Sequence, residues 1–599
     1  MINKTDLPTF PLKRLQARCI DIILFALPAI ILAGLAAMLF CPILRADPIG
    51  IVDTVGITWC EKQWGCANAG PQIAVDDSNG SVYIVWTYAP HWRFWGTGSG
   101  FNAYTPSSGW AYGDTGLEMF PLTPSTEDHG SILLRNSGVV EDVEIVMWSR
   151  DFAEWTMRSW WDSDHFEKMP LDTITDPEER LVYPALSPNG SIHLVASNEM
   201  YGAFTLCYAK YQLNPFDFTG WQLVGDTLTW GTFCLDASPV GSRVAISYLR
   251  QRVFDYPNPS GLKRDQNVFL VVSDDGVNWD WQERRNVTNF AESDPFRPWT
   301  DNDILFDSSD NIHLAFSSFE AKINRQYPDS SELNPRMCFI WHWSEEFDSF
   351  TVAADGWMRD PWQYEGYGLG PCSQTVGRPH LAVNPSNGYI YLLHERNRPE
   401  DVSLFYGYAN AEQWVSVSTD NGANWSTGTN ITNTPSPDCV RNCMSEVQAS
   451  LYDVVNDTLH IMYILDKEAG FFQDNQGQAT ENKVIYQKIP VDLIPTEPLI
   501  EQFSIREGPV RCSYRPGDIN SNGEANGTDV TYAVNFFKGH GDVPAVDCDC
   551  PEIARPFYAA GDVNGNCSFN GVDITFYVAF LKGQQEWLRH CPSCPPDPF

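Results

Sequence analysis

At 599 residues the chain is too long for one small domain, and 43 % hydrophobic against 19 % charged residues supplies a core and excludes global disorder. A formal net charge of −37 would repel a polyphosphate, which excludes nucleic acid as an expected partner. The 22 Trp are expected first as packing between sheets and second as platforms for flat ligand faces.

Lys4, Lys13, Arg14 and Arg18 precede an apolar run from Ile20 to Leu44, interrupted by Asp21 and Pro28. Residues 1–46 therefore read as a signal peptide, with small Ala46 before the cut, or as an N-terminal membrane anchor. Either way the body of the protein is expected to be secreted or held at the cell surface. Of 16 Cys, Cys19 and Cys41 lie in that segment, and the even number that remains fits disulfides in an oxidising compartment. Close spacing suggests Cys60 with Cys66, Cys207 with Cys234, Cys338 with Cys372 and Cys439 with Cys443. Cys512, Cys548, Cys550, Cys567, Cys591 and Cys594 are available for three more bridges.

From residue 48 one pattern recurs: an apolar stretch, an Asn/Asp/Gly turn, then a second alternating apolar stretch. "PQIAVDDSNGSVYIVW" from Pro71 and "PHLAVNPSNGYIYLLH" from Pro379 show it most clearly, and both read as β-hairpins. Further copies start at Ser131, Pro184, Asp236, Asp303 and Gln448, at intervals of 52 to 76 residues. Four-stranded blades need about 40–50 residues, so these intervals predict a β-propeller of about seven blades with enlarged loops, six being the alternative.

Two outer segments carry a second signature. "STDNGANW" places Ser418, Asp420, Gly422, Asn424 and Trp425, and "VSDDGVNW" is aligned to it through Asp274, Gly276, Asn278 and Trp279. In such a turn the carboxylate accepts backbone N–H groups, Gly supplies a positive φ and Trp packs on the blade. The two segments resemble the Asp-box repeat of sialidase-like propellers. That resemblance implies a scaffold role for the box, on the face away from the family's active site.

On the other face, the residues after each second strand include Arg150-Asp151, Arg250 and Glu395-Arg396, with Arg378 just before an inner strand. An arginine cluster of this kind would bind an anionic sugar bidentately, and paired carboxylates would serve as acid and base on a glycosidic bond. Arg150, Arg250, Arg378 and Arg396 are therefore the candidate ligand-binding residues, and Asp151 and Glu395 the candidate catalytic pair. Rim salt bridges and loop caps explain the same residues equally simply. The sialidase resemblance implies three arginines, a Tyr nucleophile with its Glu and an Asp acid/base, but the Arg-Ile-Pro signature of those enzymes does not occur in this chain.

From Gly517 and again from Gly561 a duplicated element follows, "GDINSNGEANGTDVTYAVNFFKG" and "GDVNGNCSFNGVDITFYVAFLKG". Asp518, Asn520, Asn522, Glu524 and Asp529 occupy positions 1, 3, 5, 7 and 12 of the first loop, and Asp562, Asn564, Asn566, Ser568 and Asp573 those of the second. Such oxygen donors at such spacing predict two Ca²⁺ sites, position 7 offering its backbone carbonyl, and a helix is expected to start on each last ligand. The element resembles a type I dockerin, which implies attachment to a cohesin-like scaffold or a cell-surface component. The second loop departs from the pattern with Cys567 where Gly is expected.

The resulting expectation is a mainly β protein: residues 48–500 form the propeller, 501–512 a linker and 513–599 the calcium module. The expected activity is extracellular glycan recognition, with a sialidase-like glycoside hydrolase or a non-enzymatic adhesion module as alternatives.

Overall fold

The computed structural model describes residues 47–61, 63, 70–91, 98–118, 130–136, 141–149, 154–160, 166–170, 179–200, 203–213, 216–228, 232–251, 265–291, 293–322, 332–358, 368–369, 374–472, 476–508, 514–545, 557–585, 587–591 and 596. The export segment 1–46, Arg150 and Asp151 lie outside these. Among the described residues no helix is long and apolar enough to cross a membrane.

The protein is mainly β and folds as a β-propeller. Among the described residues the strands form seven antiparallel sheets of four or five strands, and in all but the last the strands follow one another outward in chain order. The innermost strands are β1 (Ile73–Val75), β2 (Gly130–Asn136), β3 (Glu179–Leu186), β4 (Phe233–Ala237), β5 (Phe296–Phe306), β6 (Val376–Val383) and β7 (Ser445–Val455). Each neighbours the next, and β7 neighbours β1, so the inner strands close a ring. The outer edge is closed by the first strand of the chain, Ile51–Thr58, which pairs with Asn482–Pro490 in the last sheet. That pairing ties the two ends of the propeller together and leaves no unpaired start for the ring.

The hairpins expected at Pro71 and Pro379 form as their turn residues dictate. Asp76 accepts the Ser78 N–H at 2.8 Å before Gly80 at φ 76°, and Asn384 accepts the Ser386 N–H at 3.0 Å before Gly388 at φ 75°. Apolar side chains from facing sheets fill the space between them, with Trp86, Trp341, Trp343 and Trp425 fully buried. Inner strands present unpaired backbone N–H groups to their neighbours, and carboxylates close these seams. Asp236 of β4 accepts from Phe306 of β5 at 2.7 Å, Asp303 of β5 from Leu381 of β6 at 2.7 Å, and Asp453 of β7 from Val383 of β6 at 2.9 Å.

Two disulfides are described, Cys439–Cys443 and Cys567–Cys591. Both fit an oxidising compartment. The expected pairings of Cys234 and Cys338 do not form: each is a buried thiol, and burial pushes the Cys338 thiol up to about 12. Cys234 lies against the Ser247 carbonyl and the Asn302 amide, while the Cys338 thiol donates to the Val376 carbonyl. Cys66, Cys372 and Cys512 lie outside the described residues.

One turn is built by a residue other than the expected one. At 418–425 the Asp420 carboxylate accepts the Asn424 N–H at 2.8 Å, and the Ser418 hydroxyl donates to it. At 273–279 the same work falls to Asp275, which accepts from Val277 N and Asn278 N at 2.9 and 2.7 Å and from the Ser273 hydroxyl. Asp274 is not the turn acceptor. The second turn is one residue shorter between Asp and Trp, so aligning the glycines set the wrong aspartate against Asp420.

Residues 498–508, where a linker was expected to begin, lie along the propeller. The Ile500 N–H donates to the Trp425 carbonyl, Gln502 bonds both backbone groups of Val352, and the Phe503 ring meets those of Phe339 and Trp341. Beyond them come helices α1 (Gly527–Phe537) and α2 (Gly571–Leu581). Each begins with a capping box: Asn526 with Asp529, and Asn570 with Asp573.

Candidate functional site

Three neighbouring inner strands are interrupted at the same end. The register of β5 shifts between Pro298 and Asn302, that of β6 between Gly377 and His380, and that of β7 between Val447 and Ser450. A bulge lifts a residue out of the ladder and re-aims its side chain. Here the interrupted positions hold Trp299, Arg378 and Gln448: an aromatic ring, a guanidinium and an amide. Arg378 and Gln448 both adopt the left-handed region, at φ 53° and 55°, which costs energy for residues with a Cβ.

The surroundings hold this strained backbone in place. Asp301 of β5 accepts the Arg378 backbone N–H, and Glu395, on the strand that follows β6, accepts the Gln448 N–H at 3.3 Å. Arg378 and Glu395 form a buried ion pair, Nη1 to Oε2, and the guanidinium lies 5.3 Å from the centre of the Phe471 ring. Its Nε is buried and unpartnered among the described residues. Trp299 remains half-buried, packed on Phe319 at 4.8 Å between ring centres.

Of the four candidate arginines Arg150 lies outside the described residues, and the other three meet different partners. Arg250 lies over the Phe269 ring at 5.5 Å and Arg396 over the Trp414 ring at 4.9 Å. Successive strand residues face opposite sides of a sheet, so Arg396 points away from the side on which Glu395 meets Arg378. The structure thus joins Arg378 to Glu395 and sends Arg250 and Arg396 to aromatic partners. Trp299 and Asp301 escaped the sequence reading. Their available signal was a proline inside a strand pattern, Pro298 as well as Pro379, because proline within a sheet marks an edge or a bulge.

Other carboxyls at this end are deeply buried. Burial, with a contribution from Glu412, pushes Glu446 up to about 8, against the lowering bond from the Thr434 hydroxyl. Burial likewise pushes Asp466 up to about 8. Glu446 Oε2 and Asp466 Oδ2 have no hydrogen-bond partner among the described residues. His394 is buried to neutrality, its imidazole pushed down to about 3, and serves as a core residue.

The C-terminal loops form a second candidate region, and they match bond for bond. Asp518 accepts from Asn522 N and Gly523 N at 2.9 and 2.8 Å, and Asp562 from Asn566 N and Cys567 N at 3.1 and 2.8 Å. Asp529 accepts from Asn520 N and Asn526 N at 3.1 and 2.9 Å, and Asp573 from Asn564 N and Asn570 N at 3.3 and 2.8 Å. Asp529, Asp562 and Asp573 are fully buried and Asp518 nearly so. Burial raises Asp562, and burial together with the Asp562 charge pushes Asp573 up to about 6. Two converging carboxylates met by neutral donors only are the chemistry of a hard divalent cation site, and the residues present fit Ca²⁺. Asn526 Nδ2 donates to the Glu524 carboxylate, and Asn570 Nδ2 to the Ser568 hydroxyl and carbonyl. Gly523 has φ 88°, and Cys567 takes the same left-handed region at φ 59° while bonded to Cys591. The sulfurs of Cys567 and Cys591 lie beside Asp562, but being bonded to each other they offer no thiolate.

No protein family and no curated protein matches the chain. Among solved structures it is similar to the polysaccharide lyase Uly1, with 11 % identity and a TM-score of 0.42 over 74 % of this chain and 100 % of that one. It is also similar to the GH93 α-L-arabinofuranosidase of Fusarium graminearum, with 9 % identity and a TM-score of 0.31 over 58 % and 90 % of the two chains. A third is the Hadza microbial sialidase Hz136, at 8 % identity and a TM-score of 0.25, over 60 % and 75 %.

Proposed function

We propose that this is an exported glycan-recognising propeller, with one blade per sheet and seven in all, that attaches to a cohesin-like scaffold or cell-surface component through a dockerin-like Ca²⁺ module. The observation that carries the glycan reading is the row of three interrupted inner strands bearing Trp299, Arg378 and Gln448. An aromatic face, a guanidinium and an amide are the groups that recognise sugar rings and their hydroxyl or carboxylate substituents, and strained backbone marks positions kept for use. For the module, the support is the pair of loops with two buried carboxylates each. Asp518, Asn520, Asn522 and Asp529 with the Glu524 carbonyl would hold one Ca²⁺, and Asp562, Asn564, Asn566 and Asp573 with the Ser568 carbonyl the other. The ion would neutralise the converging carboxylates and so lock each loop to its helix.

The second reading is a glycoside hydrolase. It is favoured by Glu446 and Asp466, which hold their protons at neutral pH as a general acid must. Assaying full-length protein against a panel of fluorogenic glycosides, sialosides included, and acidic polysaccharides separates the two readings. The binding reading expects no turnover. Turnover abolished by Glu446→Gln or Glu395→Gln, with the fold retained, would replace it with the hydrolase.

A further inference from the structure

Along the inner strands, starting from His380 and Ser450 that flank the bulges, lies a cavity of ≈ 840 Å³. That is within the range of small-molecule sites, roughly 300–1,000 Å³. Three of its lining residues are the seam carboxylates Asp236, Asp303 and Asp453, and a fourth is His380 of β6. Asp236 and Asp303 use both oxygens within the fold: Asp236 for Phe306 N and Ala237 N, Asp303 for Leu381 N and the Tyr183 hydroxyl. Asp453 differs. Its Oδ1 closes the seam, its Oδ2 has no hydrogen bond among the described residues, and the side chain is exposed to the opening. His380 is 7 % exposed and makes no hydrogen bond with any described residue, although it lines the cavity. An imidazole that lines a cavity can accept a hydrogen bond from what enters it.

We infer that this cavity is a binding site for a small organic cation carrying primary ammonium groups, held by the open Asp453 carboxylate in the field of Asp236 and Asp303, with the His380 imidazole accepting a hydrogen bond from the ligand. The charge on the wall selects a cation. A bare metal ion is disfavoured by distance: among the described residues the only three such donors within 4.8 Å of one another are at Asp562, so these four do not converge on a single ion. Ammonium groups a few ångströms apart on an organic frame match separated carboxylates instead, and Leu133, Ile304 and Leu381 give that frame an apolar wall. Burial pushes Asp236 and Asp303 up to about 8 and 7, so a bound cation would favour their ionised forms. His380 is pushed down to about 4 by burial and by Arg378, which keeps the imidazole neutral and an acceptor. The inference does not require a ligand at the bulged end, although Arg378 of that end acts on His380.

Two sources share this chemistry, a free polyamine and an amino sugar. Isothermal titration of the full chain with spermidine, with the glucosamine dimer and with its N-acetylated form separates them. One amine is expected to bind with unit stoichiometry and the N-acetylated dimer not at all; the amine that binds names the source. Asp453→Asn keeps an acceptor for Val383 and is expected to weaken binding about tenfold or more, and His380→Phe by several-fold. Failure of both amines at millimolar concentration overturns the proposal. So does equal binding by wild type and Asp453→Asn, which would reduce the effect to the overall negative charge. Should Asp453→Asn fail to fold, undiminished binding by His380→Phe contradicts the site in the same way.

Discussion

The carboxylates of the propeller and those of the C-terminal loops solve the same problem in opposite ways. At the bulged end of the inner strands Glu395 is matched by the Arg378 guanidinium, so the protein supplies the countercharge itself. In the loops Asp518 and Asp529, and again Asp562 and Asp573, receive backbone N–H groups and, among the described residues, form no ion pair. The first arrangement is complete without an ion, whereas the second leaves net negative charge under a thin cover. The propeller should therefore be indifferent to metal and intolerant of losing one charge partner, and the loops the reverse.

The largest expected effect tests the first half of that contrast. Arg378→Met leaves Glu395 buried without its partner and is expected to lower stability by about 3–5 kcal/mol in denaturant unfolding, while Arg378→Met combined with Glu395→Leu recovers part of the loss. Equal losses in the single and double variants would mean that the pair acts through packing alone. The second half is tested by chelation. Millimolar EDTA is expected to lower the melting of the helical signal from α1 and α2 and to leave the β signal of the propeller unchanged, with Asp518→Ala and Asp562→Ala each removing one Ca²⁺ from the titration. A β signal that shifts with the chelator would break the contrast.

The smallest effect concerns carboxylates at the surface, where turn N–H groups suffice. Asp420→Ala is expected to cost about 1 kcal/mol, Asp275→Ala to lower the melting temperature by less, and Asp274→Ala not to move it. The bonds from Asn424 and Ser418 outweigh the effect of partial burial and hold Asp420 below the ordinary carboxylate range. A depressed folded value means that the contribution is present at neutral pH and disappears as pH falls through that value, so wild type and Asp420→Ala should converge in acid. A melting shift for Asp274→Ala equal to that for Asp275→Ala would refute the turn assignment.

What the sequence made legible follows local chemistry. Every repeat start read from apolar stretches and turns lies on or immediately before an inner strand, from Pro71 at β1 to Gln448 in β7, because hairpin turns and alternating burial are local rules. The loops were legible for the same reason: their donors and acceptors lie within twelve residues. The bulged end was not. It joins β5, β6 and β7, whose residues Trp299, Arg378 and Gln448 are far apart in the chain, and only the prolines at 298 and 379 hint that the ladder breaks there. Strand parity, which turns Arg396 to the opposite face from Glu395, did not enter the reading of the arginines. The Asp274 assignment failed because a one-residue difference in turn length is invisible when the glycines are aligned.

The glycan reading is tested most directly on a glycan array that displays neutral, amino and acidic glycans, probed with the Ca²⁺-loaded full chain beside Trp299→Ala and Gln448→Ala. The account predicts retention on one class of glycan, lost by about tenfold or more in each variant while circular dichroism and melting show the propeller intact. Retention that both variants keep unchanged, or no retention on any glycan by the wild-type chain, would contradict it.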